Sequence, residues 1–171
     1  MAQPVPDYLR QGLKIVFVGY NPSLISGKTG HHFANATNRF WKVLFLAGLT
    51  PRVYQPHEDG CLLELGYGLT NIVARPTRSA AEITRQEYHE GQIQLQNKLR
   101  YYRPRIVCFV GKGVYQEYSG RRVAGWGIQD KQIIEGVTDF VAPSTSGLVR
   151  MRLEELVEIY RMLAEISRKD L

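Results

Sequence analysis

Apolar residues gather in three short unbroken runs, Lys14 to Gly19 (KIVFVG), Leu69 to Val73 (LTNIV) and Arg105 to Gly111 (RIVCFVG). Runs of this length, rich in β-branched residues, are those of strands buried on both faces. A fourth strand is predicted in two pieces, Gln132 to Ile134 and Phe140 to Ala142. Between the runs the period lengthens to that of helices. Asn38 to Ala47 (NRFWKVLFLA) is apolar on nearly every side, which predicts a buried helix capped by Thr37 or Asn38 and stopped by Gly48 and Pro51. Thr84 to Tyr102 opens with Thr-Arg-Gln-Glu, a capping box worth about 1 kcal/mol. It then repeats Tyr88, Leu95, Leu99 and Tyr102 at helical spacing, and Pro104 ends it. From Leu153 to Ile166, Leu156, Val157, Tyr160, Leu163 and Ala164 share a stripe opposite Glu154, Glu155, Glu158 and Arg161. Strands alternating with helices predict right-handed crossovers and the α/β class. The expected architecture is a three-layer αβα sandwich around a central, mostly parallel four- to five-stranded sheet.

A chain of 171 residues with 44% hydrophobic content is expected to fold as one domain spanning 1–171 around its own core. Its two cysteines, Cys61 and Cys108, form no C-x-x-C pair, which excludes a four-cysteine zinc or iron–sulfur site within one chain. Cys108, inside RIVCFVG, reads as a buried free thiol, and such sparse cysteine usage fits a reducing compartment. His31, His32, His57 and His89 make no H-E-x-x-H pattern, so neither metal nor cofactor is expected. The N-terminus has no apolar core of signal-peptide length. No window approaches the roughly 18 apolar residues of a membrane span, so a soluble, non-secreted protein is expected.

Charge sharpens the picture. The net charge is +6, and Tyr8 to His57 carries Arg10, Lys14, Lys28, Arg39, Lys42 and Arg52 with no acid. This bias suits a polyanionic partner, although charge alone is equally met by a merely basic soluble protein.

Four segments follow predicted strands, and in a parallel sheet such ends collect on one edge. They are Gly19 to Phe33, Thr70 to Thr77, Gly111 to Tyr115 and Ala142 to Arg150; the third reads as a strand-to-helix turn. Phosphate-loop chemistry is weakly supported, because Gly111-Lys112-Gly113 lacks the Walker spacing and GYNP is not G-x-G-x-x-G. A serine-hydrolase elbow G-x-S-x-G is missing around Ser144 and Ser146. What the first segment offers instead is an amide, Asn21, at a strand terminus.

GYNPSLISGKTGHHF followed by NRFWK, then GLTNIVARPT, then PSTSGLVR resemble, in order and spacing, the motifs of the mismatch-specific uracil-DNA glycosylase and thymine-DNA glycosylase family. The resemblance extends over roughly Leu13 to Ala164. It implies the uracil-DNA glycosylase fold and a monofunctional, cofactor-free enzyme acting on double-stranded DNA. Such an enzyme flips uracil or thymine mispaired with guanine, or a related damaged pyrimidine, and hydrolyses the N-glycosidic bond to leave an abasic site. By the same resemblance Asn21 positions the hydrolytic water, with Ser144 and His32 beside it. Phe33 stacks on the extruded base, Asn71 meets the pyrimidine edge, and Gly19, Tyr20 and Thr77 complete the base site. Backbone N–H groups around Tyr20 and Phe33 are expected to hold the leaving base's oxygens. Gly147 and Leu148 form the inserting wedge, with Arg150, Arg75 and Lys28 as further DNA contacts. A monomer is expected, in the nucleus of a eukaryote or otherwise in the cytoplasm or nucleoid. Tyr20, Ser23, Thr145 and Val149 depart from the family pattern and bear on substrate range. The competing expectation is a catalytically silent relative that binds mismatched DNA without cleaving it.

Overall fold

The computed structural model describes residues 3–123 and 125–169. Five strands, β1 (Ile15–Gly19), β2 (Tyr67–Asn71), β3 (Ile106–Val110), β4 (Gly127–Ile128) and β5 (Thr138–Ala142), form one sheet in the order β2-β1-β3-β5-β4. All pair in parallel except the short edge strand β4, which runs antiparallel to β5. Five α-helices complete the chain: α1 (Leu24–Thr29), α2 (Phe40–Leu46), α3 (Arg85–Tyr102), α4 (Lys112–Ser119) and α5 (Leu153–Arg168). Two 3₁₀ segments, Pro56–Leu65 and Ala80–Glu82, lie between them.

The strands read as unbroken apolar runs because both faces of the sheet are covered. Their alternation sends Ile15, Phe17 and Cys108 to a core shared with Phe40 and Leu44 of α2 and Tyr160 of α5. Val16, Val18 and Phe109 go to the opposite core, beneath Leu95 and Leu99 of α3 and Tyr115 and Tyr118 of α4. These are the three layers. Cys108 is a buried free thiol, and burial pushes its pKa well above the ordinary range. Among the described residues, no helix is long and apolar enough to cross a membrane.

Local details correct the sequence reading in several places. Gln132 to Ile134 is not a strand. Ile134 is buried as the start of a turn, in which Val137 N–H donates to Ile134 O and Gly136 takes φ +83°. The edge strand comes instead from Gly127–Ile128. The second strand begins two residues earlier than LTNIV, in register with β1 from Ile15↔Tyr67 to Gly19↔Asn71. The glycine-rich stretch after β1 contains the short helix α1, capped by the Ser23 side chain at its start and by Gly30 at its end. Helix α2 starts at Phe40, whose N–H is accepted by Asn38 Oδ1 at 2.9 Å. The Thr84 capping box on α3 forms in both directions, each bond at 3.1 Å.

Candidate functional site

The carboxyl ends of the parallel strands open into a cavity of about 310 Å³. Asn21 and Phe33 border it from the loop after β1, Asn71 from the end of β2, and Ser144, Gly147 and Leu148 from the loop after β5. Its titratable lining side chains are Tyr20, His32 and Arg78; among the described residues no carboxylate and no lysine borders it.

The loop after β1 is laced to the loop after β2. Thr77 N–H donates to Pro22 O at 3.1 Å, and Ser23 and Thr77 form an isolated parallel bridge. Across this seam Asn21 Nδ2 donates to Arg75 O at 2.7 Å and to Thr77 Oγ1 at 2.8 Å. A carbonyl only accepts, so the atom facing Arg75 must be the amide nitrogen. Both N–H bonds of Asn21 are thereby engaged, and its Oδ1 has no partner among the described residues. Such an amide can accept a hydrogen bond from a bound water and orient it. It cannot itself take up a proton near neutrality. Thr77 thus supports Asn21, a role distinct from the base contact expected of it.

Gly19 and Phe33 shape one side of the cavity. A Cβ on Gly19 would lie 2.7 Å from Asn71 Oδ1 and 3.7 Å from Phe33 Cζ, so only glycine lets both side chains approach the strand end. Phe33 holds φ +50°, an uncommon backbone state for a side-chain-bearing residue. Its ring stacks on Phe40 at 3.9 Å between centroids and 13° between planes, and Trp41 Nε1 donates to its carbonyl at 3.3 Å. One ring face is therefore packed on Phe40 while the residue remains half-buried at the cavity. The Asn71 amide has no side-chain partner among the described residues, and neither do the backbone N–H groups of Tyr20 and Phe33. The Tyr20 ring turns toward the Gly-Lys-Gly turn. A Cβ on Gly113 would sit 1.7 Å from its hydroxyl, and one on Gly111, itself at φ +120°, 3.3 Å from the ring. The two glycines thus make room for Tyr20, and Lys112 leans away over the Trp126 ring at 4.3 Å.

His32 is placed differently from the expectation that it works beside the water. It is only 3% exposed, and its Nε2 lies 2.8 Å from Pro6 O. Because that carbonyl accepts, Nε2 carries the proton, and burial lowers the imidazole pKa below 6.5. The histidine pair hangs on Asp59, which no sequence signal had singled out. Asp59 is 1% exposed and accepts from His32 N–H at 2.8 Å and Gly60 N–H at 2.9 Å, while His31 Nδ1 lies 3.1 Å away. His32 is thus a neutral structural residue that reaches the cavity wall.

The loop from Pro143 to Arg152 is pinned along its length. Tyr160 Oη donates to Pro143 O at 2.7 Å, and Thr145 Oγ1 to Asn38 Oδ1 at 2.8 Å. The Arg39 guanidinium holds Met151 O at 2.8 Å and Val149 O at 3.2 Å. A Cβ on Gly147 would meet Thr37 O at 2.8 Å, so this close approach requires glycine. Between the pins Leu148 stands 91% exposed. Ser144 Oγ accepts only from Ser146 N–H, at 3.3 Å.

The basic residues divide. Arg75 donates from Nε and Nη2 to the Glu87 carboxylate at 2.8 and 3.0 Å and from Nη2 to Glu82 O, so it braces α3 while its side chain stays exposed. Glu87 is held down at about 2 by this guanidinium and by the Thr84 N–H. Lys28 is exposed in the last turn of α1, away from the cavity lining. Arg150 is exposed two residues after Leu148, and Arg78, which no motif marks, borders the cavity; neither has a partner among the described residues.

The strand ends of the α/β sheet thus gather an amide, an aromatic ring stacked on Phe40 and an exposed apolar loop around one cavity. The sequence model of the Uracil DNA glycosylase superfamily matches residues 6–164, and the chain belongs to that superfamily, whose members are DNA glycosylases. A protein from Methanosarcina acetivorans, solved by solution NMR and provisionally named a uracil DNA glycosylase, shares the fold with a TM-score of 0.57. It is 18% identical, over 95% of this chain and 98% of that one.

Proposed function

We propose that this protein is a monofunctional glycosylase acting as a monomeric, single-domain enzyme on double-stranded DNA. It flips out uracil or thymine mispaired with guanine, or a related damaged pyrimidine, and hydrolyses the base from its deoxyribose. The observation that carries the reading is the Asn21 amide, with both N–H bonds engaged and its oxygen left for a water. As the C1′–N bond breaks, its electron pair leaves with the base and positive charge develops on the sugar. A water held by Asn21 Oδ1 gives its oxygen to C1′, and its proton passes to solvent or to the departing base. The N–H groups of Tyr20 and Phe33 stabilise the base anion, the Phe33 ring stacks on it and the Asn71 amide reads its edge.

Ser144 assists the water from the opposite side. Leu148 fills the gap left by the flipped nucleotide, a step that offsets part of the few kcal/mol of unstacking, and Arg150 and Arg78 hold the strands nearby. The absence of a lysine among the described lining residues supports hydrolysis over Schiff-base chemistry. The test is single-turnover cleavage of a labelled duplex carrying one G·U or G·T pair, with alkali to reveal abasic sites. Wild type should yield strand breaks, and Asn21→Ala should yield them at least about 10²-fold more slowly. Intact duplex from wild-type protein that still binds it would replace this reading with the silent binding relative.

A further inference from the structure

The hydrogen bonds of Thr77 carry a direction. The residue is 3% exposed, and its hydroxyl donates to Ser79 O at 2.8 Å while lying 2.8 Å from Asn21 Nδ2. A hydroxyl has one hydrogen, and the Ser79 carbonyl, which has none, takes it. The oxygen then offers Asn21 lone pairs only, as does Arg75 O at 2.7 Å. Turning the Asn21 amide over would bring its oxygen against two acceptors and lose two hydrogen bonds.

We infer that Thr77 is a positioning residue that, together with the Arg75 carbonyl, holds the Asn21 amide with its oxygen toward the cavity. The amide then presents an acceptor, so the water it holds points a hydrogen at Asn21 and keeps a lone pair for C1′. An amide turned over would donate to that lone pair instead. The backbone of Thr77 is fixed independently, through its N–H to Pro22 O at 3.1 Å, so the side chain can be changed without releasing the loop. The catalytic consequence rests on the glycosylase reading above; the orientation itself does not.

Thr77→Val keeps the shape and removes the directional oxygen. It should lower single-turnover cleavage of a G·U duplex by about 10- to 100-fold, with duplex affinity unchanged. Thr77→Ser should recover most of the rate. Placed on Asn21→Ala, Thr77→Val should cost nothing further, because the group it orients is gone. A wild-type rate in Thr77→Val, or the same loss in both backgrounds, overturns the inference. An activity-free readout is the Asn21 side-chain NH₂ signal in NMR spectra, identified by its disappearance in Asn21→Ala. Both protons should be protected from exchange in wild type and only one in Thr77→Val; protection unchanged by the substitution would overturn the proposed orientation. If wild-type protein cuts no duplex, the glycosylase reading fails, and the amide protons still decide the role of Thr77.

Discussion

The inner wall of the cavity and its rim treat their polar and apolar groups in opposite ways. On the wall, the donors of Asn21, the hydroxyl of Thr77 and the Nε2 of His32 are matched to protein partners. On the rim, Leu148 is 91% exposed, and Arg78 and Arg150 have no partner among the described residues. The wall is arranged before any ligand arrives, the condition under which fixed dipoles stabilise developing charge without reorganising. On the proposed reading, the contacts of the rim form only with DNA.

The largest effect expected from this contrast lies on the wall. Asn21→Ala should lower the cleavage rate by at least about 10²-fold, as loss of a positioned reactant does, while leaving duplex affinity near wild type. A parallel loss of affinity would show that Asn21 belongs to binding and blur the distinction between wall and rim. Next comes Leu148→Ala. Exposed as it is, the side chain should contribute under about 0.5 kcal/mol to folding. Its loss should slow cleavage of duplex by about tenfold while sparing single-stranded substrate, where no gap needs filling. Equal losses on both substrates would remove the wedge.

The two arginines give a smaller and sharper comparison. Arg78→Gln should weaken DNA binding a few-fold and reduce the slope of log affinity against log salt by about one, as for a single phosphate contact. Arg75→Gln should leave that slope unchanged, because its guanidinium already faces Glu87, and should instead loosen the carbonyl that Asn21 uses. A salt slope altered equally by both would place Arg75 on the DNA after all.

Arg75 and Arg78 also mark where sequence reading stops. They are alike in composition and neighbourhood, and only the approach of Glu87, 12 positions on, separates them. Strands β1 and β3 were legible because burial on both faces writes an unbroken apolar run. The stretch Gln132 to Ile134 misled because a turn can bury an isoleucine as fully as a strand does, and β4, two residues long, is too short to carry a pattern. The segments that form the cavity could be read one at a time, since each follows a strand. Their cross-links could not. Asn21 meets Thr77 across 56 positions and Thr145 meets Asn38 across 107, while Asp59, which organises the histidine pair, lies in a 3₁₀ segment without a motif.

The smallest effect expected is that of pH, and it tests the wall directly. With no carboxylate among the described lining residues, the rate should lack a carboxylate limb between about pH 6.5 and 8. The folded protein should behave likewise. Burial lowers the pKa of His32 from 6.5, so its contribution to stability is present above that value and is lost as pH falls through the folded pKa. Asp139 has the opposite sign. Burial at 1% exposure raises it from 3.8 to about 6, so the stability it lends when protonated is lost as pH rises toward 6. The two slopes oppose each other below about pH 6 and both level off above 6.5. Thermal unfolding followed from pH 4 to 8 should show this, and Asp139→Asn should remove the opposing slope, leaving stability that rises with pH. A titration in the rate above pH 6.5 that persists in Asp139→Asn would mean that a group on the wall is ionising during turnover, and the wall would no longer be the fixed, uncharged partner of the rim.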